Sequence, residues 1–189
     1  IARIYEHRSR AADHPLVIYG FVLNDFGLPG LEEDLGFEFI DFNSPRYRFN
    51  PLRKYFRTYN LICHLVDRRR LHNRTLKIYL EAFQEENAEV HFRMLEELHS
   101  KIRKDGGEMV VVIFPLLYDF DDYPFESIHE KINTFCRKED IPVVDLLPSF
   151  SRYKARDLWV NPTDHHPNET AHRITAEELR KFLESNDLI

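Results

Sequence analysis

Asp164, His165 and His166 set one carboxylate and two imidazoles in three consecutive residues, followed by Pro167 and Asn168. A carboxylate beside an imidazole is the orienting half of a charge-relay site. The carboxylate fixes the tautomer of the ring, and the ring nitrogen that stays free takes a proton from a nucleophile. His166 is the candidate base because it directly precedes Pro167-Asn168, and Asp164 is the candidate orienting acid; His165 is the competing imidazole. Asp164 as a helix cap is the plain alternative, although Asn168 or Thr170 suits that position better. A metal set drawn from Asp164, His165, His166, His172 and His129 is a further reading, but no ligand spacing such as His-Glu-x-x-His accompanies it.

A base and its acid need a nucleophile and donors for a developing oxyanion. Asn24, followed by Asp25, closes an apolar run and is the candidate oxyanion donor; a simple strand-ending turn is the alternative. No serine of the chain stands in a Gly-Asp-Ser turn.

The elements that must position these groups follow from periodicity. Residues 2–13 read as the end of a helix, stopped before Pro15. The continuous apolar run 16–23 predicts a strand buried on both faces of a parallel sheet. Residues 26–50 are loop-rich. Helices are expected over 51–71 and from about 74 to 104, the second with Ala88, Phe92, Leu95, His99 and Ile102 on one face and with Asp105-Gly106-Gly107 as its stop. Residues 109–114 and 142–147 predict two more strands, 124–139 a helix, and 169–185 a last helix with Ala171, Ile174, Leu179, Phe182 and Leu183 on one stripe. Strands alternating with helices imply a three-layer α/β/α fold with a parallel sheet. The segment 44–105 between the first two strands is expected to be a helical insertion, too long for a simple crossover, within one domain covering 1–189.

The stretch Tyr19 to Asp25 resembles the third sequence block of SGNH (GDSL-type) hydrolases, centred on Gly-x-Asn-Asp. Asp164-x-His166-Pro167-Asn168, with Ala171-His172 after it, resembles their fifth block. The order of the two motifs and the strands between them also suit that family's flavodoxin-like fold, of which the chain would cover the C-terminal two-thirds. The resemblance implies a serine esterase, lipase or deacetylase mechanism, with Asn24 as an oxyanion donor, His166 as the base and Asp164 as its partner. The nucleophilic serine and the first strand would lie upstream of Ile1. The implied substrate is a small acyl or acetyl ester, on a carbohydrate or a lipid, with no cofactor and no metal. Two departures point the other way: Val22 stands where the family has glycine, and Thr163 where it usually has the triad aspartate. They motivate a rival reading, a non-catalytic scaffold of the same fold; an acyltransferase using the same residues is a third.

At 189 residues the chain is long enough to bury a core. Its net charge of −6 argues against nucleic acid as the main partner. The span 46–77 is basic, with Tyr and Phe interleaved, and suits contact with anionic lipid, although a solvated face paired with the acidic stretches 32–41 and 81–97 is the simpler reading. Tyr118 to Tyr123, with Asp119, Asp121 and Asp122, reads as a flexible acidic loop. Cys63 and Cys136 read as buried free thiols. Asn73-Arg74-Thr75 and Asn168-Glu169-Thr170 fit the glycosylation pattern, which arises readily by chance. The resemblance leans toward a bacterial envelope role.

Overall fold

The computed structural model describes residues 15–23, 58–59, 62, 77, 79–81, 83, 85–162 and 164–189. Asn24 and Asp25, the expected N-terminal helix end, nearly all of the basic 46–77 span, Cys63 and the Asn73 motif lie outside them. By its internal contacts the chain divides into two compact units, Ile1–Phe26 with Glu85–Ile189, and Gly27–Gln84. The insertion was expected over 44–105; the division instead leaves the helix of 85–104 with the sheet. Among the described residues no helix is long and apolar enough to cross a membrane.

The sheet is built from β1 (Leu16–Val22), β2 (Glu108–Phe114) and β3 (Val143–Asp145). All three run parallel in the order β1-β2-β3, with Leu16 opposite Glu108, Val22 opposite Phe114 and Ile113 opposite Asp145. Parallel pairing brings the carboxyl ends of the three strands to one edge, where Leu23, Pro115 and Asp145 follow or end them. Met109 to Ile113 are fully buried, as a central strand covered on both faces requires. β1 differs from its expected burial: Phe21 is buried, but Ile18 is 48% exposed. Among the described residues β1 pairs on one side only, so its apolar run reflects strand propensity more than full coverage.

Among the described residues four helices belong to this unit: α1 (Glu85–Lys104), α2 (Glu126–Lys138), the single turn α3 (Leu147–Phe150) and α4 (Glu169–Ser185). The periodic stripe of α4 does what its spacing dictates. Ala171, Ile174 and Leu183 are buried against Val110, Val112 and Val144, with Leu179 and Phe182 partly buried beside them. Each aliphatic side chain so buried contributes about 1.5–3 kcal/mol relative to exposure. On α1, Ala88, Leu95, His99 and Ile102 are buried, and Phe92 stacks on Phe135 of α2 with ring centroids 4.4 Å apart. Cys136 is a buried free thiol, and burial pushes its pKa up to about 12, which leaves it unreactive.

The stop after α1 is chemical. Gly106 adopts φ 78°, Gly107 N–H donates to Ile102 C=O at 2.9 Å, and Gly106 N–H to Arg103 C=O at 3.0 Å. This double bond pattern satisfies the last helical carbonyls and needs a residue that tolerates positive φ. Gly107 serves a different purpose. A Cβ there would lie 2.5 Å from the Pro15 carbonyl oxygen, which cannot retreat because it accepts the Glu108 N–H at 3.0 Å. Gly107→Ala is therefore expected to cost roughly 2 kcal/mol or more in urea denaturation; a loss under about 0.5 kcal/mol would show that β1 and β2 shift freely.

His99 is the discordant member of the α1 stripe. Its ring is buried, and Nε2 has no hydrogen-bond partner. Burial pushes its pKa down, Arg103 adds to this, and Glu108, Asp140 and Glu139 oppose it. A histidine with a depressed folded pKa binds more protons when unfolded, so stability falls as pH drops below the unfolded value of about 6.5. His99→Leu removes both the orphaned nitrogen and this titration. It is expected to stabilise the fold by about 1 kcal/mol at pH 7 and by more at pH 5. Equal acid sensitivity in wild type and variant would assign the titration to another group.

Candidate functional site

The stretch that carries Asp164 and His166 is a strand. Trp159–Asn161 (β4) and Asp164–Pro167 (β5) form a two-stranded antiparallel sheet, with Trp159 opposite Pro167 and Asn161 opposite Asp164. Periodicity predicts only a loop here, because strands of three and four residues are too short to show alternation. A 3₁₀ turn, Ala155–Leu158, leads into the hairpin. Asn168 leads out of it as the N-cap of α4: its side-chain oxygen accepts from Thr170 N–H at 2.9 Å and Ala171 N–H at 3.1 Å. Its amide nitrogen donates to the carbonyls of Asp157 and Trp159. One side chain therefore ties the hairpin to the helix start, two residues beyond His166.

Within the hairpin the two imidazoles have separate engagements. His166 Nδ1 lies 2.5 Å from Asp164 Oδ1, and the same oxygen accepts the His166 backbone N–H at 3.1 Å. Both bonds hold the ring in one orientation, with Nδ1–H toward the carboxylate and Nε2 free to act as an acceptor. His166 is 85% and Asp164 44% exposed. The His166 side-chain bond, then its backbone N–H, hold the Asp164 carboxyl below the usual carboxylate range. His165 instead stacks on Trp159, with ring centroids 3.8 Å apart and planes 16° from parallel.

Trp159 joins this hairpin to the sheet edge. Its indole N–H donates to Leu117 C=O at 2.9 Å, in the loop that follows β2. That loop departs from the flexible acidic segment expected of 118–123. Asp121 N–H donates to Asp119 Oδ1 at 3.1 Å in a local turn, and the aromatic residues are tied down. Phe120 packs on the core, and Tyr123 makes an edge contact with His129 at 5.6 Å.

A second histidine–carboxylate pair lies beneath this loop, and periodicity does not reveal it. His129 Nδ1 is 2.8 Å from Asp145 Oδ1, and its Nε2 is 3.3 Å from the Tyr123 hydroxyl. Asp145 also accepts from Asn133 Nδ2 at 2.8 Å and from Leu147 N–H at 2.9 Å. That last bond turns the chain into α3 and explains why β3 ends at Asp145 although the apolar run continues to Leu147. Burial raises the Asp145 carboxyl, but the hydrogen bond and charge of His129 and the bonds from Leu147 and Asn133 outweigh it, leaving the pKa below its ordinary value. The signal available in the sequence was a carboxylate ending a buried strand, at the edge where α/β sheets place functional groups. His129 is 2% and Asp145 18% exposed, so this pair is largely shielded from solvent while the His166 pair is open. Among the described residues no three histidine, cysteine, aspartate or glutamate side chains come together to hold a metal ion.

Comparison with protein-family models, with curated proteins and with solved structures found no match for this chain.

Proposed function

We propose that the chain carries the base-and-acid half of a serine ester hydrolase of the SGNH type, on a three-layer α/β/α domain. The observation that carries this reading is the His166 Nδ1 bond to Asp164, which leaves Nε2 as the proton acceptor on an exposed ring. The stacking of His165 on Trp159 favours His166 over its neighbour. In this reading a serine from sequence preceding Ile1 attacks an ester carbonyl. His166 Nε2 takes the serine proton, returns it to the departing alcohol, and then activates water to release the acyl group. Asp164 keeps the proton on Nδ1 and stabilises the imidazolium. Asn24 donates to the oxyanion, a contribution of roughly 10²–10³ in kcat at comparable sites. The substrate is a small acyl or acetyl ester on a carbohydrate or lipid, and an alcohol in place of water would make the same site an acyltransferase.

The test is hydrolysis of p-nitrophenyl acetate by the polypeptide that the gene encodes and by its His166→Ala form. The variant is expected to lose at least about 10³-fold in kcat, as base removal does in relay enzymes. Equal rates would remove His166 from the base role. A wild-type rate no higher than that of buffer would favour the binding scaffold.

A further inference from the structure

The buried pair is linked to the hairpin that carries the exposed pair by hydrogen bonds, a short stretch of backbone and one ring stack. If His129 Nδ1–H donates to the Asp145 carboxylate, Nε2 must accept, so the Tyr123 hydroxyl donates to it. The Tyr123 oxygen then accepts the Leu116 N–H at 3.0 Å. Every donor in the chain has an acceptor, and all of them point toward one carboxylate. Two backbone amides are reached by this relay: Leu147, which starts α3, and Leu116, in the loop that follows β2.

Leu116 is the outlet that matters for the site. Its carbonyl accepts the Tyr118 N–H at 2.7 Å, closing a three-residue turn centred on Leu117. Leu117 is itself buried, and its carbonyl is the acceptor for the Trp159 indole. The turn is therefore held at its amide end by Tyr123 and bonded to the hairpin through the next residue. Trp159 carries the stack with His165, beside His166.

We propose that Tyr123, His129 and Asp145 are positioning residues: their relay holds the Leu116–Leu117 turn where it can receive Trp159, and so fixes the hairpin that presents His166. The effect on catalysis rests on the reading of His166 as a base; the effect on the hairpin does not. An aliphatic cluster could fill the same space at lower desolvation cost, but only a polar relay can fix a backbone N–H direction.

The chain contains a single tryptophan, so one indole N–H resonance in a ¹⁵N-labelled sample of the full chain reports the Leu117 bond. Tyr123→Phe keeps the buried ring and removes the acceptor of Leu116. It is expected to move that resonance toward its solvent-exposed position and to raise indole exchange with water by about tenfold, the scale of one lost hydrogen bond. Asp145→Asn is expected to do the same more weakly. Ile132→Val, a loss of buried volume on α2 one turn from His129 that removes no hydrogen-bonding group of the relay, is expected to leave the resonance in place. Coupling is reciprocal, so Trp159→Phe should accelerate exchange of the Leu116 amide, and this arm decides the matter should Tyr123→Phe fail to fold. An unmoved indole in Tyr123→Phe, an equal shift in Ile132→Val, or an unchanged Leu116 amide in Trp159→Phe would overturn the proposal. In the esterase assay Tyr123→Phe should lower kcat with little change in KM. An indole that responds without any His166-dependent rate would leave the relay standing and remove the hydrolase reading.

Discussion

On the proposed hydrolase reading, an Asp164→Asn protein is expected to lose about 10³- to 10⁴-fold in kcat for ester hydrolysis. The reason is the direction of one proton. The carboxylate oxygen accepts Nδ1–H from His166, which leaves Nε2 bare and ready to accept. An asparagine amide placed in the same rotamer can present its NH₂ group to Nδ1, which forces the ring proton onto Nε2 and removes the base. The same oxygen also accepts the His166 backbone N–H, so the turned amide gives up that bond too, and an unmoved Trp159 indole resonance is the check that the hairpin keeps its geometry and the loss is chemical. Asp164 is partly exposed, and water competes for Nδ1; this places the expected loss at the lower part of the range. A parallel measurement on Asp164→Glu should recover some of the rate, since a carboxylate remains. If Asp164→Asn stays within about threefold of wild type, the aspartate does not orient the base.

The largest expected effect on stability belongs to Asp145. Asp145→Ala removes the acceptor of three donors: the His129 ring, the Asn133 amide and the Leu147 N–H. Its partner His129 is 2% exposed, so water replaces the lost ring bond poorly. A cost on the order of 3 kcal/mol is expected, a large share of the stability of a domain this size. The pH dependence follows from the depressed folded pKa of this carboxyl. Its contribution is fully present above the unfolded value of about 3.9 and is lost as pH falls through the lower folded value. Asp145→Asn retains an acceptor oxygen and no charge, so its stability should vary less than that of wild type across the same acid range. Urea unfolding of the three proteins at pH 7 and at pH 3 measures both effects. An Asp145→Ala protein within 1 kcal/mol of wild type would mean that the donors find other partners.

These two aspartates also mark how much of the molecule was legible in its sequence. Asp164 announced itself because its partner is two residues away, and local spacing is visible in any sequence. Asp145 did not, because its partners lie 12 and 16 residues away on a helix and its strand neighbours are apolar. The last helix and the central strand were readable to within a residue, whereas the helix expected from about 74 begins at Glu85. The last helix spans 169–185 as its stripe requires, and the central strand begins one residue before the run 109–114. The β4–β5 hairpin was not readable, since its short strands are held by Asn168, by the Leu158 carbonyl and by Trp159 rather than by any pattern of their own. His99 shows the reverse case, a polar ring that follows the apolar period and is buried for that reason.

The sequence by itself determined the alternation of strands and helices, the stop at Gly106-Gly107, a cap at Asn168 or Thr170 and the pairing of His166 with Asp164. All of these depend on backbone propensity, hydrophobic period or contacts a few residues apart. Only the tertiary structure decided that His165 is held by Trp159, that the acidic loop is anchored from within by Tyr123, and that a buried histidine and carboxylate lie beneath it. Those outcomes require groups far apart in the chain to meet. Parallel strand pairing brings β2 and β3 to a common edge, and the buried donors gathered there must find acceptors among whatever the fold sets beside them.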